Sequence, residues 1–189
     1  MKTSFKIHAG LALTLSGFSL LVSALTLLPG PPLPYSGGPL LAIEIALLFP
    51  LFIVTIGRGM AMEAGGRKLS RTAQWPVLQS LPRPLRLALV CIFVSGIGLT
   101  ASSLVAETSR QSGKAEAGRY YAVDLDSPTH EQVEVSKSEY DTLRKHDQRA
   151  VHAITGMLAA GAATMTLVIG QLHPSTGRYV PPPSLDPSA

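Results

Sequence analysis

One cysteine and one tryptophan stand in 189 residues. A lone Cys91 excludes an internal disulfide and any zinc site built on paired cysteines. Charged side chains make up only 15% of the chain, well under the quarter usual for a soluble globular domain. Also missing are the short motifs that announce chemistry: no GxxxxGKS/T phosphate loop, HExxH, GxSxG or CxxC occurs. His8, His130, His146, His152 and His173 are dispersed along the chain, without the spacing of a metal site. Asp124, Asp126 and His130 lie close enough to meet a divalent ion, but solvated turn residues are the simpler reading. No cofactor or metal is expected, and the balance leans away from an enzyme. The net charge of +4 does not indicate nucleic acid, because the basic residues flank apolar segments instead of forming a patch.

Those apolar segments are what the chain does contain. Four runs, Ala9–Leu28, Pro39–Ile56, Leu87–Ala106 and Ala150–Leu172, are each about a bilayer long. About 20 apolar residues at 1.5 Å per residue cross a hydrocarbon core of roughly 30 Å, where a helix satisfies its own backbone. The expected fold is an all-α membrane protein, a bundle of four transmembrane helices, with lipid as its first partner. The opening Met1–Lys6 and the small-residue stretch Val22-Ser23-Ala24 imitate a cleaved signal peptide. The run is longer than the usual 7–15-residue signal core, so retention as a first span is expected. Cys91 lies inside the third run, where a lipid-depth thiol is expected to be inert.

Positive charge beside the spans sets the threading. Lys2 and Lys6 precede the first run, and the second connector, residues 57–86, carries six basic residues against one acid. The first connector has no charge, while the third holds seven basic and nine acidic residues. Both termini and the 57–86 loop are therefore expected on the cytoplasmic face of the cell (inner) membrane. The organisation follows: residues 1–106 form three spans with a basic cytoplasmic loop, 107–149 an extracytoplasmic unit, 150–172 the fourth span and 173–189 a disordered tail. Trp75 and its neighbouring arginines suggest that the second connector lies irregularly on the surface as an interfacial anchor. The Pro/Gly-rich first connector makes spans one and two antiparallel neighbours.

The third connector is the one candidate for structure outside lipid. Arg119–Leu125 and Glu131–Val135 alternate around turn residues and predict a small extracytoplasmic β-hairpin before the last helix. Tyr121, Val123 and Leu125 are expected on one face. Ser136-Lys-Ser-Glu139 fits a capping box, and no helix breaker follows until Gly156. One helix from about Lys137 to Leu172 should therefore project four turns beyond the membrane, with Tyr140 and Leu143 covering the hairpin. Gly118-Arg-Tyr-Tyr121 followed by Val133-Glu-Val-Ser-Lys-Ser-Glu-Tyr140 resembles a pattern in uncharacterised bacterial, particularly actinobacterial, multi-pass membrane proteins. Leu81-Pro-Arg-Pro-Leu-Arg86 is similar to the same group. The resemblance implies a bacterial inner-membrane protein and no particular activity.

Glu44 is the sharpest single residue, because an acid about five residues inside a span is expensive. His152, Ser102, Ser103, Ser23 and Thr26 lie at similar depth and are expected to converge on it. The bland reading is an interhelical hydrogen bond; the functional one is a proton- or cation-handling site. Pro50 should kink the second span. Gly156, Ala160 and Thr164 make a small-residue stripe for close helix packing, within the chain or as a homodimer seam. The leading expectation is a non-enzymatic accessory, sensor-like or immunity-like protein. It would meet another membrane or envelope protein through Tyr120, Tyr121, Val133, Val135 and Tyr140. The alternative is a small transporter or channel component with Glu44 as coupling acid.

Overall fold

Ser136 starts the element around which everything else is arranged. Its Oγ accepts the Glu139 N–H at 3.2 Å and its carbonyl accepts the Tyr140 N–H at 2.9 Å. The helix so begun, α5, runs unbroken over Lys137–Leu172, 36 residues and about 54 Å. The capping box is only half made, because the Glu139 carboxylate turns to the Arg110 guanidinium at 3.0 Å instead of reaching back to Ser136. The computed structural model describes residues 3–34, 38–65, 71–104 and 109–172. The predicted disordered tail, 173–189, lies outside them. The other helices are α1 (Thr3–Leu25), α2 (Pro39–Ala64), α3 (Arg71–Ser80) and α4 (Arg83–Leu104).

Four of these helices, α1, α2, α4 and α5, are long and apolar enough to cross a membrane. Large apolar side chains such as Ile43, Phe49, Ile53, Leu87, Val94 and Ile97 stand exposed along them, the inverse of a water-soluble surface. Cys91 is on this exposed face of α4 instead of being buried. Helix α2 continues through Pro50. The most extensive helix packing joins α1 to α5, and α2 and α4 each lean on α5. Spans one and two, expected as neighbours, therefore associate mainly through the fourth.

Small residues explain that arrangement. Gly156 lies so close to α1 that an added Cβ would stand 3.0 Å from Leu20 Cγ and 3.1 Å from the Ser16 carbonyl oxygen. Ala153, Ala159, Ala160 and Ala163 are buried along the same helix. On the other side Met157 fills the space above Gly96 of α4. Gly156 and Ala160 of the small-residue stripe are thus packed within the chain, and the Thr164 hydroxyl donates to the Ala160 carbonyl at 2.8 Å.

The second connector, expected to be irregular, is helical over much of its described length. It holds α3, ten residues with Pro76 inside, tied down because Leu78, Leu81 and Leu85 pack with Ala9, Leu89 and Leu167. The predicted hairpin is present but belongs to a three-stranded antiparallel sheet, order β1-β2-β3, of Arg110–Glu116, Arg119–Asp124 and Gln132–Val135. Strand β1 is an addition to expectation. Its two-residue turn places Ala117 and Gly118 at φ 51° and 78°, the pairing that suits a right-twisted hairpin. Between Ser112 and Ala115 the register slips, and Gly113 comes so near β2 that a Cβ would stand 2.8 Å from the Tyr121 carbonyl oxygen. The face that meets α5 is Tyr120 and Ala122, with cross-strand partners Val135 and Val133, so the expected Tyr121–Val123–Leu125 face points the other way. Tyr120 and Tyr140 rings meet at 5.2 Å, and Leu143 is buried beside them.

Replacing Gly156 tests this packing. Gly156→Ile should lower the stability of the detergent-solubilised protein by about 1–3 kcal/mol through overpacking against a backbone carbonyl. Gly161→Ala, which meets nothing within 4 Å, should be neutral or stabilising in the same thermal unfolding measurement.

Candidate functional site

A carboxylate on an apolar helix must find a partner or lose its charge. Glu44 sits near the start of α2, one of its few buried residues, and His152 lies five residues beyond Asp147 on α5. Their side chains meet at 2.9 Å, His152 Nδ1 to Glu44 Oε2, at 0% and 1% exposure. The contact is a buried hydrogen bond between an imidazole and a carboxylate. The second carboxylate oxygen of Glu44 is buried without a hydrogen-bond partner among the described residues, as are the hydroxyls of Ser16 and Ser19. The Ser23 Oγ donates to the Arg149 carbonyl at 2.8 Å, and Ser16 faces Gly156. Those two contacts fix the antiparallel register of α1 on α5 and set Ser19 level with His152.

Ser102 and Ser103, expected to converge on Glu44, do not. Both donate to the Leu99 carbonyl of their own helix, at 2.8 and 3.2 Å. The reason is local: a serine in an apolar helix satisfies its hydroxyl on the preceding turn at no cost in rearrangement. Ser23 and Thr26 are drawn instead to Arg149. Arg149 is 7% exposed; its guanidinium donates from Nε to Thr26 Oγ1 at 3.1 Å and reaches Ser102 Oγ and the Thr26 carbonyl at 3.5 Å. Among the described residues it has no carboxylate partner. Arg149 escaped the sequence reading because it stands just before the fourth apolar run, where a basic residue reads as a flank.

A second buried polar cluster lies toward the other end of the bundle. His8 Nε2 is 3.0 Å from Thr55 Oγ1 and 3.0 Å from the Leu51 carbonyl oxygen, and Thr55 Oγ1 is 3.0 Å from Thr166 Oγ1. Between the two clusters lies an apolar layer of Ala12, Leu15, Leu48, Leu51, Ala159 and Ala163. Glu44, Leu48, Leu51 and Thr55 recur at spacings of four, three and four on α2, so one helix face runs through both stations and the layer. From Glu44 to Thr55 the rise is about 16 Å. His8 was also missed; its signal was that the start of the first run, the end of the second and the end of the fourth fall at one level in an up-and-down bundle.

The five residues expected to form a partner surface are spread over two faces. Tyr140 is buried against Tyr120, Val133 and Val135 are half-buried on the sheet face that meets α5, and Tyr121 stands on the opposite face. The sheet is further held by Asp147, whose Oδ2 accepts from Ser112 N and Oγ at 2.8 and 2.6 Å. Asp124 spends Oδ1 on the Asp126 N–H at 3.0 Å, an ordinary turn bond. Among the described residues no group of three or more His, Cys, Asp or Glu is placed to hold a metal ion. The buried set can exchange a proton and accept or donate hydrogen bonds. Compared with known proteins, the chain matches no family model, no curated protein and no solved structure.

Removing one partner separates the pair from its surroundings. His152→Ala should destabilise the protein by about 3–5 kcal/mol, because a buried carboxylate loses its partner among the described residues. A Glu44→Leu, His152→Leu double variant should recover most of that loss in chemical unfolding of the detergent-solubilised protein.

Proposed function

We propose that this is a non-enzymatic, sensor-like or accessory protein of a bacterial inner membrane, with both termini cytoplasmic and the three-stranded sheet outside. An immunity-like role falls within the same reading. The observation that carries it is the continuity of α5. One unbroken helix holds the sheet through Tyr140 and Asp147 and, five residues on, holds His152 against Glu44. Whatever binds the sheet and shifts it therefore acts on a lever whose next turn carries a buried, proton-bearing contact. The exposed apolar surface of α2 and α4 supports insertion, and the basic 57–86 connector supports the orientation. The partner would be another membrane or envelope protein meeting the sheet's outward face, around Tyr121 and Val123.

Deleting residues 110–135 should leave all four spans inserted, as read by cysteine accessibility at both ends. It should reproduce the phenotype of losing the whole protein; wild-type behaviour of the deletion would refute the outer-module reading.

A second reading is favoured by a separate observation, the two polar stations divided by an apolar layer. That arrangement suits a small proton-coupled transporter or channel component with Glu44 as its coupling acid and the layer as its closed gate. Glu44→Gln should then abolish proton uptake into proteoliposomes, followed with an internal pH dye. Wild-type flux in that variant would end the transport reading.

A further inference from the structure

Helix α3 lies beside the first turns of α4 and leaves a groove of about 440 Å³ between them, reaching Thr164 of α5. Its walls are apolar: Leu78, Leu89, Val90, Phe93, Val94 and Ile97. Thr164 adds no free polarity, since its hydroxyl is spent on the Ala160 carbonyl. Polar groups gather at one end only, where Trp75, Gln79 and Arg86 stand. The Arg86 side chain is half-buried and, among the described residues, makes no ion pair or side-chain hydrogen bond.

We propose that this groove binds one anionic phospholipid, its phosphate on the Arg86 guanidinium and one acyl chain laid along α4. The inference rests on the membrane placement given above. Length is the first argument. From Arg86 to Ile97 is eleven residues, about 16 Å of helix, which is half of a hydrocarbon core of roughly 30 Å. The groove is therefore one leaflet deep. A partner helix or a second copy would need an apolar channel through both leaflets, and this one stops midway. Charge is the second. An unpaired guanidinium at the headgroup level, on a connector with six basic residues and one acid, complements an anionic headgroup and not a zwitterionic one. The tryptophan and glutamine at the mouth supply hydrogen-bond donors at the depth where such rings settle.

Trp75 is the chain's only tryptophan and reports on its own site. In mixed micelles of the purified full-length protein, phosphatidylglycerol carrying bromines on its acyl chains should quench Trp75 fluorescence in preference to brominated phosphatidylcholine. One basic side chain on an anionic headgroup gives a preference of about fivefold. Unbrominated phosphatidylglycerol should reverse the quenching. Arg86→Gln should abolish the preference and keep the quenching by phosphatidylcholine, with the circular dichroism unchanged. Arg83→Gln, outside the groove, should retain the preference. Equal quenching by the two lipids in the wild type, or equal loss in both variants, overturns the site and leaves insertion standing. Quenching by neither lipid overturns the site and the membrane placement of α3 and α4 together.

Discussion

The close approach of α1 to α5 is the contact on which the remainder depends. It requires Gly156 opposite the Ser16 backbone and Leu20, and a run of alanines along the same helix. On the membrane placement proposed above, the bundle's outside meets lipid as apolar as its inside, and burial gives little drive for helices to associate. Van der Waals contact between backbones, allowed by small side chains, takes its place. Once α1 is seated, Ser23 reaches the Arg149 carbonyl and the guanidinium reaches Thr26, so the same contact positions a polar framework near the sheet. Helices α2 and α4 then need only cover the remaining sides of α5, which is why they keep so much apolar surface exposed.

A bundle held this way buries a series of polar groups. Glu44, His152, Arg149, His8, Thr55 and Thr166 are all buried, with serines between them. In a packed helix pair each would cost free energy unless hydrogen-bonded. Most are satisfied locally, by the preceding turn or by one neighbour on another helix. The exceptions among the described residues are spread along the bundle: Glu44 Oε1, the Ser16 and Ser19 hydroxyls, Arg58 Nη1, His146 Nδ1 and Gln148 Oε1. One of them, Glu44 Oε1, belongs to the carboxylate–imidazole contact itself, so that carboxylate is satisfied on one oxygen only among the described residues.

Much of this was legible in the sequence, and what was not failed for physical reasons. The four long helices follow from run length alone, and the extent of α5 follows from Ser136 and the lack of a breaker. Glu44 and His152 were named together because topology puts them at one depth. The strand β1, RQSGKAE, carries no alternation, and its pairing depends on a bulge at Gly113 that only the folded backbone reveals. Helix α3 was hidden by Trp75-Pro76, since proline reads as punctuation although tertiary anchoring through Leu78 and Leu81 holds the helix together. The sheet's inward face was misassigned by one residue because Tyr121 and Val123 outweigh Tyr120 and Ala122 in hydrophobicity. The small Ala122 is what lets the strand sit on α5. Ser102 and Ser103 were drawn to Glu44 on depth alone, whereas azimuth around the helix decides contact.

The placement of Arg149 links these elements into one argument about action. It stands one turn from His152 on α5, holds Thr26 at the end of α1 and touches Ser102 near the end of α4. It therefore bridges three helices at the level where the sheet module begins, while Asp147 two residues earlier holds β1. On the sensor-like reading, a displacement of the sheet that rotates α5 would shift the guanidinium against the neutral oxygens that it contacts. A carboxylate there would lock the junction with a buried ion pair. Its hydrogen-bond partners are two hydroxyls and a carbonyl, and His152 lies on the next turn. On the sensor-like reading proposed above, this junction is the joint between the close packing around Gly156 and the sheet.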